Sequence, residues 1–194
     1  MRIKQFIEYQ GEAISDANGS FSYQDLDMQI NKYHDMVTKN SSISNKVVVI
    51  DSDYSFYSIS LLFSLLNHNC IIVPIVKTTE DEYASKVIAS EANIIIRIND
   101  NHELDFKHIN NNKLSYNDYL TILNRKHSGI VLFTSGTTGV PKVMVHDFNN
   151  YIESFNPPRR QKSLRFLMFL MFDHIGGLNT LFNCLNNGSP IVIP

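Results

Sequence analysis

Between Gly129 and His146 the chain reads GIVLFTSGTTGVPKVMVH, with four hydroxyls, two glycines, a proline and a lysine inside the nine positions from Thr134 to Lys142. The hydroxyls of Thr134, Ser135, Thr137 and Thr138 can each donate and accept a hydrogen bond. Gly136 and Gly139 let backbone amides approach a ligand closely. Lys142 adds a compact positive charge, and Pro141 stiffens the exit of the loop. That combination suits an oxyanion, and a polyphosphate above all. Apolar runs flank it, Ile130 to Phe133 before and Val143 to Val145 after, so the expected layout is strand, hairpin-like loop, lysine, strand. It is not a Walker loop. Counted from Gly136, Pro141 takes the place of the second glycine, and Val143 the place of the hydroxyl that binds Mg²⁺. The plainer alternative is a Gly/Thr-rich turn with no ligand, since these residues dominate ordinary turns.

A second candidate is Phe172-Asp173-His174-Ile175-Gly176-Gly177-Leu178, which ends an apolar run that starts at Phe166. Ligands of open α/β sheets bind beyond the carboxyl ends of strands, where loops meet helix N-termini. There Gly176 and Gly177 would let the backbone come close to a flat or linear substrate. The alternative is that His174 caps a helix and the glycines serve close packing. Asp173 stands beside the imidazole, but neighbouring side chains often point apart, so no pairing is expected.

The elements that must position these residues follow from periodicity. Asp16-Ala17-Asn18-Gly19 predicts a turn, and with it a hairpin. Ser22-x-x-Asp25 is a capping box ahead of Tyr23, Leu26, Ile30, Tyr33 and Val37 at helical spacing. Val47 to Ile50, Cys70 to Val76 (broken by Pro74) and Ile94 to Ile98 predict buried strands. A helix through Leu66 and another from Thr79 to about Ala92 separate them. Three apolar strands alternating with helices imply right-handed βαβ crossovers. The predicted fold class is therefore α/β, a doubly wound, mostly parallel sheet with flanking helices. Asn99 to Lys113, rich in Asn, Asp and His, is expected to be an exposed loop, with His102 and His108 solvated and not metal ligands; no metal site is expected. Asn149 to Phe155 predicts a helix, and Arg159 and Arg160 beside two prolines predict a solvated loop. Leu164 to Met171 predicts a buried strand, followed by a helix from about Leu178 to Asn186, a turn at Gly188 and a strand from Ile191.

Composition narrows the function. A net charge of −2 over 194 residues, 43% of them hydrophobic, gives no electrostatic reason to bind nucleic acid. The longest hydrophobic run, Phe166 to Phe172, is too short for a membrane span. The start of the chain lacks the apolar region of a secretory signal. Cys70 and Cys184 have no partner at metal-ligand spacing and are expected as buried free thiols in a reducing cytoplasm.

Phe133 to Lys142, FTSGTTGVPK, resembles the phosphate-loop signature of the adenylate-forming superfamily, which includes acyl- and aryl-CoA ligases, luciferases and adenylation domains of peptide synthetases. Val143 stands where members usually carry glycine. FSYQDLDMQINKY and LLFSLLNHNCIIVPIV resemble early helix and strand motifs of the same superfamily, so the likeness runs from about Ser20 onward. FDHIGGL resembles the motif whose histidine or aromatic lines the carboxylate-substrate pocket. The resemblance implies that residues 1–194 are the N-terminal part of an AMP-binding domain, with the phosphate loop at 133–143. It also implies ATP and Mg²⁺ as cofactors, Thr134, Ser135, Gly136, Thr137, Thr138, Gly139 and Lys142 as phosphate ligands, and His174, Gly176 and Gly177 at the acid pocket, His174 near the reacting carboxylate. The implied reaction activates a carboxylic acid as an acyl-adenylate and passes it to CoA or a carrier-protein thiol. Phe172-Asp173 resembles amino-acid adenylation domains, whereas His174-Ile175-Gly176-Gly177 looks more like acyl- and aryl-acid ligases. The superfamily's adenine platform, ribose aspartate and catalytic lysine lie downstream of these motifs, so the chain is expected to be inactive by itself. A non-catalytic module that binds phosphate or a nucleotide is the alternative.

Overall fold

The β-branched runs become the middle of a six-stranded sheet in the computed structural model, which describes residues 6, 9–40, 43–111, 114–134, 141–155 and 164–194. Its strands are β3 (Val47–Asp51), β4 (Ile71–Ile75), β5 (Ile94–Ile98), β6 (Leu104–His108), β7 (Gly129–Thr134) and β8 (Lys142–Asp147), in the order β6-β5-β3-β4-β7-β8. The inner four run parallel, and β6 and β8 close the edges antiparallel. Both faces are covered, which explains why the strands read as continuous apolar runs instead of alternating ones. Val48, Ile50, Ile72, Ile96 and Ile130 enter one core with helices α1 (Tyr23–Asn40), α2 (Phe56–Leu65), α5 (Phe148–Glu153) and α6 (Ile175–Asn186). Val47, Val49, Ile71, Val73 and Val131 enter the other, with Tyr83 and Val87 of α3 (Glu80–Ala89) and Tyr119, Ile122 and Leu123 of α4 (Asn117–Asn124). Helices on both faces make the sheet doubly wound.

A second sheet has the order β2-β1-β10-β9, with β1 at Glu12–Asp16, β2 at Gly19–Ser22, β9 at Phe166–Leu167 and β10 at Ile191–Val192. β1 and β2 form the predicted hairpin, with the Asn18 amide donating to the Asp16 carboxylate at 2.7 Å. β1, β10 and β9 are parallel. Helix α2 touches β1 of this sheet and β3 of the other, and its first amide, Phe56 N–H, donates to Asp16 Oδ2 at 2.7 Å. Local signals set the helix starts. Ser22 and Asp25 cap α1 reciprocally at 2.7 and 3.1 Å, and the five apolar positions predicted to face inward are the buried ones. Thr79 Oγ1 accepts the Glu82 amide ahead of α3. A cluster of rings from Phe6, Phe63, Phe148, Tyr151 and Phe155 surrounds Phe182 of α6. Cys70 and Cys184 are buried free thiols as expected, and burial pushes the Cys184 thiol up to about 11.

Four expectations are corrected. Pro74 does not break β4, which runs on to Ile75. Ile71 N–H points toward β3, donating to Lys46 O, so by alternation the Pro74 nitrogen faces β7, and pairing with β7 ends at Ile72. The missing donor falls where no partner strand needs it. The segment 99–113 is not all loop: Leu104 to His108 pairs with β5 as an edge strand, with Leu104 and Phe106 turned to the core. Leu164 to Met171 is not a buried strand. Only Phe166–Leu167 pairs, and Leu164, Leu167, Phe169, Leu170 and Met171 are exposed, because β9 lies at a sheet edge. Helix α6 starts at Ile175 and not at Leu178, which places both glycines inside its first turn.

Candidate functional site

Hairpin β7–β8 frames the first constellation. Ile130, Val131 and Leu132 are buried and fix β7 beside β4. The antiparallel register then runs from Gly129 opposite Asp147 to Thr134 opposite Lys142. Thr134 and Lys142 are both exposed and face each other at the mouth of the loop. Ser135, Gly136, Thr137, Thr138 and Gly139 lie outside the described residues, as do Arg159 and Arg160. Among the described residues no carboxylate pairs with Lys142. Lys86 of α3 sits 5.8 Å from the centre of the Phe133 ring at the base of the hairpin, but Glu82 compensates its charge at 2.8 Å. The uncompensated ammonium at the loop mouth is thus Lys142, the arrangement an anion requires.

The second constellation is seated by a close approach. A Cβ on Gly177 would stand 1.9 Å from Met171 O and 2.6 Å from its carbon, so only glycine lets the first turn of α6 lie against that backbone. A Cβ on Gly176 would meet only the Leu170 Cδ1 methyl, at 2.9 Å. Gly177 therefore has the close-packing role that stood as the alternative in its motif. His174 is the N-cap residue by backbone, with Leu178 N–H donating to His174 O at 3.1 Å, yet its side chain makes no capping bond and is 64% exposed. Asp173 is 8% exposed and its Oδ1 lies 3.7 Å from His174 Nε2. Phe172 packs against Tyr54 with ring centres 5.1 Å apart. Burial raises the Tyr54 phenol well above its ordinary pKa.

Chain direction puts both constellations at one end of the molecule. Thr134 ends β7, and Tyr54 follows the carboxyl end of β3, parallel to β7 through β4. Phe172, against Tyr54, brings the start of α6 to the same side. That is the ligand-binding end of an open α/β sheet. The sequence reading passed over a cleft of about 220 Å³ at the same end, where the connections after β3 and β4 part toward opposite faces; Asp51, Ser52, Asp53, Lys77, Thr78 and Tyr83 line it. Its one signal was a polar Asp-Ser-Asp directly after a buried strand. Tyr83 donates to Asp51 Oδ2 at 2.9 Å, and burial together with that carboxylate raises the phenol to about 12. Arg97 pairs with the same carboxylate. Three carboxylates in the first turn of α3 beside it make the cleft a poor seat for phosphate. His102 stacks on Tyr57 at 3.7 Å, and among the described residues no group of three or more His, Cys, Asp or Glu can hold a metal ion.

The same architecture occurs in the N-terminal subdomain of NpsA from Klebsiella oxytoca in complex with 3-hydroxyanthranilyl-AMSN, at a TM-score of 0.74 and 18% identity over 100% of this chain and 51% of that one. The inhibitor-bound N-terminal domain of FACL13 from Mycobacterium tuberculosis gives 0.68 and 16% over 98% and 55%. The o-succinylbenzoate CoA synthetase MenE from Bacillus subtilis, in complex with its acyl-adenylate intermediate, gives 0.68 and 14% over 98% and 43%. The fold is thus that of the N-terminal part of adenylate-forming enzymes, and the chain spans about half the length of these solved relatives. The family model of AMP-binding enzymes matches residues 8–194, and the chain belongs to that family. No curated protein matches it. Among the described residues no helix is long and apolar enough to cross a membrane.

Proposed function

We propose that residues 1–194 are the N-terminal part of a cytoplasmic, AMP-forming acid–thiol ligase. The observation that carries this reading is the pairing of Thr134 with an uncompensated Lys142 across the mouth of the FTSGTTGVPK loop, at the carboxyl end of the sheet. ATP and the acid are both anions, so the protein's task is to position them and to stabilise charge on the phosphoryl oxygens. Thr134 and Lys142, with Ser135, Gly136, Thr137, Thr138 and Gly139 of the same motif, supply donors for those oxygens. Charge-assisted hydrogen bonds of this kind contribute about 1.5–3 kcal/mol each. A carboxylate oxygen of the acid attacks the α-phosphorus, the α–β anhydride bond breaks, and pyrophosphate leaves. A thiol of CoA or of a carrier protein then attacks the acyl carbon and releases AMP. Mg²⁺, held through the phosphates, would supply part of the charge neutralisation. His174, Gly176 and Gly177 border the acid pocket in this proposal, with an acyl or aryl acid preferred over an amino acid.

The test is carboxylate-dependent ATP–pyrophosphate exchange over fatty, aryl and amino acids, run on the 194-residue chain and on a polypeptide that carries it at the full length of the solved relatives. Exchange by the longer protein with one acid class supports the ligase and names the class. Absence of exchange in the folded longer protein favours a module that binds phosphate or nucleotide without chemistry.

A further inference from the structure

The fit between Asp173 and His174 goes beyond what the motif implied, and it rests on the placement of His174 at the acid pocket. Asp173 is more than nine-tenths buried, and its Oδ1 is fully enclosed without a hydrogen-bond partner. An enclosed carboxylate oxygen left unsatisfied costs roughly 1–3 kcal/mol or more. Among the described residues its one ion-pair neighbour is His174 Nε2 at 3.7 Å. The backbone at this point is held on both sides, because His174 N–H donates to Met171 O at 3.2 Å and His174 O opens α6. Gly177 adds a third restraint by fixing the helix against residues 170 and 171. The imidazole itself is mostly exposed. An ionised carboxylate only accepts, so an imidazole nitrogen that bonds to it must carry the proton.

We propose that Asp173 is a positioning residue: it holds the proton of His174 on Nε2 and leaves Nδ1 as the ring's acceptor toward the acid pocket. Which imidazole nitrogen bears the proton is set by the hydrogen bond the other atoms of the ring environment offer, so a buried carboxylate on one side selects one tautomer. The arrangement also gives the enclosed Oδ1 of Asp173 a donor. The turn into α6 folds residue 173 inward while residue 174 stays at the surface, with Nε2 3.7 Å from the enclosed oxygen.

The test is a two-bond ¹⁵N–¹H correlation spectrum of the histidine rings of this chain at a pH where they are neutral, with His174→Gln to assign the signal. It needs neither substrate nor turnover, so its failure is separable from a failure of the ligase proposal, which the exchange assay reads. In the native chain His174 is expected as a single tautomer with the proton on Nε2. Asp173→Ala is expected to give the averaged nitrogen shifts of two exchanging tautomers, with the His68 ring signals unchanged as a check of the fold. Should Asp173→Ala fold poorly, the isosteric Asp173→Asn serves, because its amide donates as well as accepts and no longer selects one nitrogen. Averaged shifts in the native chain, or a single tautomer that survives both substitutions, would overturn the proposal.

Discussion

The two constellations share one end of the molecule but are held there by different physics. Hairpin β7–β8 hangs from a ladder: six register pairs join its strands, and three buried side chains tie β7 to the sheet. Thr134 and Lys142 form the last of those pairs through their backbones, and their side chains are exposed. The segment from Phe172 to Gly177 has no ladder. A close backbone approach at Gly177, a ring contact between Phe172 and Tyr54, and the hydrogen bond from His174 N–H to Met171 O hold it. Function and stability are therefore separable at the hairpin and entangled at the start of α6.

That contrast can be broken at either end. Lys142→Ala is expected to lower ATP–pyrophosphate exchange by about 100-fold or more, the usual effect of removing one donor to a charged transition state. The melting temperature should stay put, because the side chain is exposed; a large thermal shift would show that the hairpin is not independent of its chemistry. Gly177→Ala is expected to do the reverse and destabilise the chain by roughly 1–3 kcal/mol, since backbone atoms and not a side-chain tip must yield. Urea unfolding measures it, and an unchanged midpoint would remove the close approach from the account. Acid should loosen both constellations together. His68 lies at the amino end of β4, remote from either, and burial plus the His34 ring 4.6 Å away lower its pKa from 6.5 to about 4. The folded chain thus binds this proton less readily than the unfolded one. The contribution is fully present above pH 6.5 and is lost as pH falls toward 4. Melting curves across that window should show a shallower acid decline for His68→Gln than for the native chain. Smallest of all is Gly176→Ala. A helix-propensity gain of up to about 1 kcal/mol opposes contact with a movable Leu170 methyl, so the stability change is expected to stay within about 0.5 kcal/mol.

The strands that carry the hairpin were legible because burial on both faces leaves a plain sequence mark: Val47 to Ile50 and Ile130 to Leu132 are apolar without interruption. Helix starts were legible where a side chain does the capping, as at Ser22 and Thr79. What was not legible depends on distant surroundings. Leu164 to Met171 looks like a core strand by composition, and its place at a sheet edge is set by residues 12–16 and 191–192, which no local pattern encodes. Leu104 to His108 looked like loop because its polar face is solvent-exposed and its neighbour β5 offered the only reason to pair. The stretch FTSGTTGVPK drew attention by an unusual density of hydroxyls and glycines. The close packing of Gly177 stood in the sequence only as an alternative, since it depends on the backbone of residues 170 and 171 coming within van der Waals reach.

The central claim is that the hairpin is a phosphate clamp whose charge resides on Lys142, and exchange measured side by side for the native and Lys142→Ala proteins at full relative length tests it most directly. The account predicts carboxylate-dependent exchange in the first, its near-complete loss in the second, and equal melting temperatures for both. Equal exchange in the two proteins would contradict it.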